Sequence, residues 1–284
     1  MRCDSMKIQR LNNFDIPDLL SLCESVGWLQ PKSFMQKQFE LYLSIGTLLG
    51  YIKNKKLIAA GGVFPFQPAY SSIGMLIVHP NFQRQGIGRA LLEHCLQFAD
   101  SSLPTILIAT DAGVPLYQSF RFETITNVHR FEKLVINPTM KSRHFKTITP
   151  RDFDSLIQLD QTATGANRRQ LYSLLLPRIA FSLKLETNGT IDAFTLCIQK
   201  GNILCVTPLI AKKEEDAILL LQQLSQMWNG VIRIDVPQSH ITFRTSLQNE
   251  QFQETLRSPL MIRNGKHLPG NRDMLFTMID AALC

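Results

Sequence analysis

Hydrophobic and polar positions in the first half of the chain switch repeatedly between the period of strands and the period of helices. Apolar residues recur at helical spacing in two early segments, and short apolar runs bounded by Gly, Pro or Asn predict strands. We predict these elements in chain order: a strand at 6–10, helices at 14–28 and 31–44, two strands turned at Asn54–Lys56, a strand closed by Pro80, a helix ending near Ala99, a strand at 105–110, a short helix at 113–120 and a strand at 122–134.

The second half repeats this order in rougher form. The predicted elements are helices at 148–160 and 167–176, strands at 179–187, 191–199 and 203–211, a helix at 213–228 and a strand at 231–237. Both halves contain three strands, a helix and a strand, at a period of roughly 130 residues that is typical of duplicated domains. With a boundary near 137–145, we expect an α/β (α+β) chain of two domains, residues 1–136 and 143–284.

Composition narrows the class of protein. The chain is 45% hydrophobic and 19% charged, which is typical of a globular protein. Its six cysteines form no C-x-x-C pair and no zinc spacing with histidine, so we expect no disulfide, no metal and a reducing, cytoplasmic location. No apolar run of about 18 residues predicts a membrane span, and the N-terminal residues lack a signal-peptide pattern.

The formal net charge of +7 fits either a nucleic acid or a small polyanionic ligand. Nucleic-acid binding would favour a basic run interleaved with aromatic residues, and the sequence has none. We therefore expect a small polyanion and no nucleic-acid partner.

The segment NFQRQGIGRALLEHC (81–95) places two glycines directly before a helical pattern. Glycine costs conformational entropy, but it lets an anion approach the N–H groups at a helix start, where the helix dipole is positive. The spacing lacks the third glycine of the Rossmann motif and the G-K-S/T of the P-loop. A different phosphate-binding loop, centred on Gly86 and Gly88, is predicted.

The hexamer QRQGIG (83–88) resembles the Q/R-x-x-G-x-G/A loop of the GNAT superfamily of N-acetyltransferases. The resemblance extends over 75–99, which has the family's strand, V-x-P turn, loop and amphipathic helix. The segment LYQSFRF (116–122) is similar to the family's L-Y-x-x-x-G-F block. Together with the internal repeat, this implies two tandem GNAT-like domains, each a mixed, mostly antiparallel sheet flanked by helices.

The resemblance implies that the first domain binds acetyl-CoA as a co-substrate. The pyrophosphate is expected on the N–H groups of residues 84–89, and the pantetheine beside the strand that precedes Pro80. The residues expected at the coenzyme are Leu76, Ile77, Val78, Gln83, Arg84, Gln85, Gly86, Ile87, Gly88 and Arg89.

Acetyl transfer requires a proton for the departing thiolate, and a phenol of pKa about 10 can provide it. The resemblance implies this catalytic role for Tyr117, in the L-Y block; ring packing with a hydrogen bond is the alternative. Arg121 replaces the glycine of that block, and the strand before Pro80 carries no Asp or Glu as a general base. The base is left open between water and another part of the chain.

The corresponding turn in the second half, LIAKKEEDAILLLQQL (209–224), has no glycine and starts its helix with Glu214, Glu215 and Asp216. Carboxylates there suit the helix dipole and repel a pyrophosphate, so we expect no coenzyme site in this domain. The segment TGANRRQLYSLL (164–175) is similar to the G-x-x-R helix start of YitH-type tandem acetyltransferases. This implies that Arg168 faces an acidic or polar group of the substrate; an ordinary salt bridge is the alternative.

In such proteins the second domain is expected to cover the acceptor side of the coenzyme cleft. We therefore expect direct transfer of an acetyl group from acetyl-CoA to the primary amine of a small molecule. Two alternatives stay open: acetylation of a peptide or protein amine, and binding of acyl-CoA without turnover as a regulatory module. The sequence does not indicate the acceptor, the preferred acyl chain or the oligomeric state.

Overall fold

The computed structural model describes residues 7–28, 30–138 and 146–284. Met6, at the start of the first predicted strand, and most of the predicted boundary at 137–145 lie outside the described residues.

The helices and strands follow the predicted order. The strands are β1 (Lys7–Arg10), β2 (Thr47–Lys53), β3 (Lys56–Phe66), β4 (Tyr70–Val78), β5 (Thr105–Ile108), β6 (Glu123–Val135), β7 (Phe181–Thr187), β8 (Thr190–Lys200), β9 (Ile203–Ala211), β10 (Gly230–Pro237), β11 (Gln253–Arg263) and β12 (Leu275–Thr277). The α-helices are α1 (Ile16–Ser25), α2 (Lys32–Ile45), α3 (Ile87–Leu96), α4 (Val114–Gln118), α5 (Phe153–Thr164), α6 (Arg169–Leu175), α7 (Glu214–Met227) and α8 (Ile241–Asn249). Of these, α8, β11 and β12 have no predicted counterpart.

The strands of the described residues form a single sheet. Its order is β1-β2-β3-β4-β5-β11-β6-β10-β9-β8-β7, and β12 pairs with β9 outside this path. The pairs β4/β5 and β9/β10 are parallel, and the other pairs are antiparallel. The expectation of a mixed, mostly antiparallel sheet flanked by helices is confirmed.

The two halves exchange strands at the centre of this sheet. β11, from the second half, lies between β5 and β6 of the first half. β6 in turn lies between β11 and β10, and it pairs with β10 from Val135–Gly230 to Val128–Pro237. Each half therefore completes the sheet of the other, and the two expected sheets are joined into one.

Helices cover both faces of the sheet. On one face, α1, α2, α5, α6 and the chain after β12 share an apolar core. On the other face, α3 and α4 pack on the first half, and α7 and α8 pack on the second half. Successive residues of β5 show the two faces, since Ile106 belongs to the first core and Leu107 to the opposite one.

No helix within the described ranges is long and apolar enough to cross a membrane. The five cysteines in these ranges are free and buried: Cys23, Cys95, Cys197, Cys205 and Cys284.

Candidate functional site

The predicted phosphate loop lies between β4 and α3 and has a left-handed residue on each side of Gln85. Arg84 has a φ of 63°, and Gly86, the N-cap of α3, has a φ of 79°. Left-handed backbone is costly for a residue with a Cβ, which explains glycine at position 86. Turns of this kind gather backbone N–H groups into a concave surface that binds anions.

The start of α3 offers unused hydrogen-bond donors. The first N–H groups of a helix have no acceptor within the helix, and no side chain caps α3. A Cβ at Gly88 would meet Val78 Cγ2 at 3.5 Å and Leu116 Cδ2 at 3.6 Å, which are ordinary contacts. Packing inside the protein therefore does not require glycine at position 88, whereas a ligand approaching the backbone does.

The polar side chains of the loop make different contacts. Gln83 Nε2 donates to the carbonyl of Val78 at 3.1 Å, and Gln85 Nε2 donates to the carbonyl of Asn81 at 3.2 Å, so both hold the loop in shape. The guanidinium of Arg89 donates to Ser119 Oγ at 2.9 Å. Arg84 is exposed, and in the described parts of the chain no carboxylate or side-chain acceptor engages it. Neither arginine has a carboxylate partner among the described residues, and Arg84 is the one whose guanidinium donors are not engaged by another side chain.

β4 separates from β5 next to this loop. The ladder between the two strands covers residues 71–72 of β4. A bulge follows against β3, where Met75 has a φ of 57°. Beyond it, the side chains of Leu76 and Val78 are partly exposed, and that of Ile77 is buried. The backbone edge of residues 76–78 lies where the pantetheine is expected, and strand edges of this kind bind extended amides.

The corresponding place in the second half is filled by the chain itself. β12 pairs with the end of β9 at Leu209 and Ile210. Leu209 N donates to Thr277 Oγ1 at 3.0 Å, and that hydroxyl donates to the carbonyl of Val206 at 3.1 Å. Counted back from the strand ends, Leu209 and Ile210 match residues 76–77 of β4. β12 thus occupies the edge that a pantetheine would use in this half.

Charge disfavours an anion at the same place. Glu214, Glu215 and Asp216 form the first turn of α7. Burial and the neighbouring Glu215 raise the pKa of Glu214, and burial and Asp192 raise the pKa of Asp216. These carboxylates already repel one another, so a pyrophosphate would add further repulsion. Of the two equivalent helix starts, that of α3 is suited to an anion.

Tyr117 lies in α4, on the face of the sheet that α3 covers. Its ring packs edge-on against Phe122, with centroids 6.0 Å apart, and the residue is 8% exposed. Burial and, to a smaller extent, Cys95 raise the pKa of Tyr117, so the phenol is protonated at neutral pH. Among the described residues the hydroxyl has no hydrogen-bond partner, which leaves its proton available to a ligand.

Arg168 forms the ion pair that the sequence left as the alternative. The residue is 3% exposed, and its Nε donates to Asp160 Oδ2 at 2.9 Å. Its Nη2 bonds the other oxygen of Asp160, which also accepts from Tyr172 Oη at 2.8 Å. Its Nη1 contacts the carbonyl of Leu283 at 3.5 Å. All its donor nitrogens are thus engaged inside the core, as the salt-bridge alternative expects.

A cavity of about 120 Å³, partly open to solvent, lies where the two halves meet. Its walls come from α2, β5, β6, α6, β8, β9, β10, β11 and residues 278–281. Ile108 at the end of β5 lines it, which places the cavity beside the separation of β4 from β5. Ser72 Oγ of β4 donates to the carbonyl of Ala282 at 2.8 Å, so the segment after β12 is fixed to β4. Junctions between domains are a common location of small-molecule sites.

The sequence did not indicate the charged residues of this cavity. They are Arg130, Lys200, Arg233, Asp235 and Asp280. The predicted strand VIRIDVP could have indicated two of them, because residues two apart on a strand lie on the same face. This places Arg233 and Asp235 side by side. Asp280 had no comparable signal, since it follows no periodic element. No group of three His, Cys, Asp or Glu within the described residues is placed to hold a metal ion.

Comparison with known families assigns one model to each half. The acetyltransferase (GNAT) family model matches residues 14–122. An acetyltransferase (GNAT) domain model matches residues 156–277.

Similar proteins extend over both halves. The chain is 26% identical over 278 residues to the uncharacterised N-acetyltransferase YitH of Bacillus subtilis, which covers 96% of this chain and 97% of that protein. It is 20% identical to a solved Pyrococcus horikoshii protein proposed to be an acetyltransferase, with a TM-score of 0.85 and coverage of 100% and 98%. A tandem GNAT protein from the clavulanic acid biosynthesis pathway gives a TM-score of 0.66 at 12% identity, covering 91% of this chain and 98% of that one. The chain thus belongs to the GNAT N-acetyltransferases, acyltransferases that use acetyl-CoA, and it has two GNAT domains in tandem.

Proposed function

We propose that this protein transfers the acetyl group of acetyl-CoA directly to the primary amine of a small molecule. The observation that carries this proposal is the uncapped start of α3 beside the open edge of β4, with a glycine at position 88 that packing does not require. The two features together offer donors for a pyrophosphate and a strand edge for the pantetheine. The residues proposed at the coenzyme are Leu76, Ile77, Val78, Gln83, Arg84, Gln85, Gly86, Ile87, Gly88 and Arg89.

The transfer forms a bond between the nitrogen of the neutral amine and the acetyl carbon and breaks the bond from that carbon to sulfur. The nitrogen then loses one proton to water or to a base elsewhere in the chain, and the sulfur leaves as a thiolate. Backbone N–H groups of β4 near Val78 would polarise the thioester carbonyl and stabilise the oxyanion that develops on it. Tyr117 would donate its proton to the departing thiolate. Its hydroxyl supports this role, because the phenol is protonated and no acceptor among the described residues competes for its proton.

The acceptor is proposed to bind in the cavity between the halves. Residues 1–136 would hold the coenzyme, and residues 143–284 would provide the walls on the acceptor side. A cavity with walls from both halves favours a small molecule over a protein chain, which would need an open groove.

Calorimetric titration with acetyl-CoA and a thiol-release assay with a panel of amines test this function. We expect one coenzyme per chain and thiol release that depends on the amine. Tight binding without thiol release on any amine would instead support a regulatory acyl-CoA-binding module.

Two matched variants identify the coenzyme site. Gly88→Glu gives the second position of α3 the carboxylate that Glu215 provides in α7, and it should abolish binding. Glu215→Gly should not create a second site, since β12 fills that edge. Binding that survives Gly88→Glu would contradict the proposed site.

A further inference from the structure

The junction cavity has a negative end formed by Asp280. Its Oδ1 accepts hydrogen bonds from Tyr42 Oη at 2.8 Å and from the backbone N–H of Ala282 at 2.8 Å. Its Oδ2 accepts from Gln38 Nε2 at 3.3 Å. All three donors are neutral, and no Lys or Arg of the described chain forms a salt bridge with Asp280. Arg178 and Arg233 lie within electrostatic range of Asp280 without contacting it, so the direct ion pair that Asp280 lacks among the described residues is left to the ammonium group of a ligand.

This negative end lies close to β4, the strand along which the pantetheine is proposed to run. Asp280 is two residues from Ala282, and two residues of extended chain span at most about 7 Å. Ala282 packs directly on β4, because a Cβ at Gly74 would lie 2.3 Å from its Cβ. An amine held by Asp280 would thus lie beside the middle of β4, the strand whose N–H groups near Val78 are proposed to polarise the thioester carbonyl.

The opposite end of the cavity has an excess of positive charge. Arg130 Nε donates to Asp235 Oδ1 at 2.8 Å, and Arg233 Nη2 donates to Asp235 Oδ2 at 2.7 Å. Burial alone would raise the pKa of Asp235, but the guanidiniums of Arg233 and Arg130 outweigh it and lower that pKa. The carboxylate is thus ionised, and it neutralises one of two guanidiniums.

Lys200 adds a further positive charge to this end. Its Nζ lies 4.6 Å from the centroid of the Phe34 ring, and the described residues provide it with no carboxylate partner. Partly buried cations without a matching carboxylate favour an anionic ligand. Arg233 and Asp280 both line this cavity, so one small molecule can contact both.

We propose that the acceptor is a small primary amine that also carries a carboxylate or a phosphate, with its amine at Asp280 and its anion at Arg130 and Arg233. This inference rests on the proposed acetyl transfer, since the transfer defines which end of the cavity receives the amine. Asp235 engages Nε and Nη2 of both guanidiniums, so the anion would accept from their Nη1 groups, which have no hydrogen-bond partner among the described residues.

The test measures acceptor binding separately from turnover. Calorimetry on the protein–CoA complex compares each ω-amino acid from glycine to ε-aminocaproate with the alkylamine of equal length, and phosphoethanolamine with ethanolamine. We expect at least one anionic amine to bind about tenfold or more tightly than its neutral partner, as charged hydrogen bonds predict. The carboxylate and phosphate arms distinguish the two anions.

Substitutions test which residues bind the amine and which bind the anion of the acceptor. Arg233→Met should lower the preference for the anionic amine about tenfold. Arg257→Met is the matched control, because Arg257 lies on the same sheet between the cavity residues Leu256 and Ser258 and faces away from the cavity. Asp280→Asn should weaken anionic and neutral amines alike. Asp280→Glu keeps the carboxylate. If it binds amines more tightly than Asp280→Asn does, the charge of this residue, and not only its packing, holds the amine.

Equal binding of anionic and neutral amines in every pair would overturn the inference. So would an equal loss of preference in Arg233→Met and Arg257→Met. A clear binding preference without thiol release from acetyl-CoA would contradict the proposed transfer while supporting the assignment of the cavity ligand.

Discussion

Gly88 lies where α3, Val78 and Leu116 meet, and its missing side chain has opposite effects on folding and on coenzyme binding. Gly88→Ala should raise the free energy of unfolding by about 0.5–1 kcal/mol, because alanine is the better helix former and its Cβ meets ordinary contacts. The same methyl group should weaken acetyl-CoA binding about tenfold or more, since it occupies the approach to the helix start. Urea unfolding and calorimetric titration measure the two effects. Unchanged affinity would show that the coenzyme does not approach this backbone.

The hydroxyl of Tyr117 can be removed without changing its packing. Tyr117→Phe keeps the ring against Phe122 and loses a hydroxyl that has no partner among the described residues, so stability should stay constant. We expect kcat to fall about a hundredfold or more, with little change in KM for acetyl-CoA, because a general acid acts in the transition state.

Tyr172→Phe is the control for that substitution. Tyr172 is also buried, but its hydroxyl donates to Asp160 in the core at 2.8 Å, far in the fold from α4. Its loss should cost about 1–3 kcal/mol of stability and leave kcat unchanged. If Tyr117→Phe retained full turnover, the proton donor would be another group or water.

Residue types with a local structural reason were predictable from the sequence, and those defined by distant contacts were not. Gly86 and Gly88 were identifiable because a helix start and its loop are adjacent in the chain. Arg168 was ambiguous, since its partner Asp160 is near in the chain but the sequence does not show that the two side chains meet inside the core. Asp280 could not be recognised, because Tyr42 and Gln38 come from the first half.

At the scale of elements, the chain after β12 depends on one small residue of β4. A Cβ at Gly74 would lie 2.3 Å from Ala282 Cβ and 2.5 Å from its Cα, so Gly74→Ala must displace this segment. We expect a loss of about 1–3 kcal/mol of stability and a higher KM for the amine, because Asp280 moves with Ala282. Hydrogen exchange of residues 278–284 and steady-state kinetics measure these effects.

Ser72→Ala is a milder substitution at the same contact. It removes one hydrogen bond to Ala282 and creates no clash, so it should lower the stability and raise the KM for the amine less than Gly74→Ala does. Unchanged exchange and an unchanged KM in Gly74→Ala would show that the chain end does not shape the acceptor side.

Elements with a strong period were predictable, whereas elements stabilised by remote pairing were missed. β9 was predicted at its observed limits, Ile203–Ala211, because it is a continuous apolar run. β11 has five exposed residues at its start and a proline at 259, so its pattern is weak, and its neighbours β5 and β6 lie in the other half. α8 buries only Phe243 and Leu247, which gives it little helical periodicity.

At the scale of the whole molecule, one segment, from β12 to Ala282, contacts the corresponding strands of both halves. β12 fills the strand edge of β9, where the second half would otherwise offer a place for a pantetheine. The chain then continues through Asp280 at the junction cavity to Ala282 on β4 of the first half. Under the proposed function, the residues that fill this edge of the second half would also build the acceptor side of the first, so that two similar domains would form one active centre.

The exchange of β6 and β11 makes the two halves dependent on each other for folding. Without the second half, β5 would expose an unpaired edge and β6 would lose both of its neighbours, β10 and β11. Fragments 1–136 and 143–284, expressed separately, should therefore be unfolded or aggregated, since exposed edges associate with other chains. Expressed together, they should form an equimolar complex that binds acetyl-CoA and unfolds in one transition, because the apolar core on the α2 side includes residues of both halves. Circular dichroism measures whether each fragment is folded, and size-exclusion chromatography measures whether the two form a complex. Calorimetry measures acetyl-CoA binding and the unfolding transition. A fragment 1–136 that folds alone and binds acetyl-CoA as tightly as the intact chain would contradict it, since β11 would then add nothing to the sheet that positions β4 and β5.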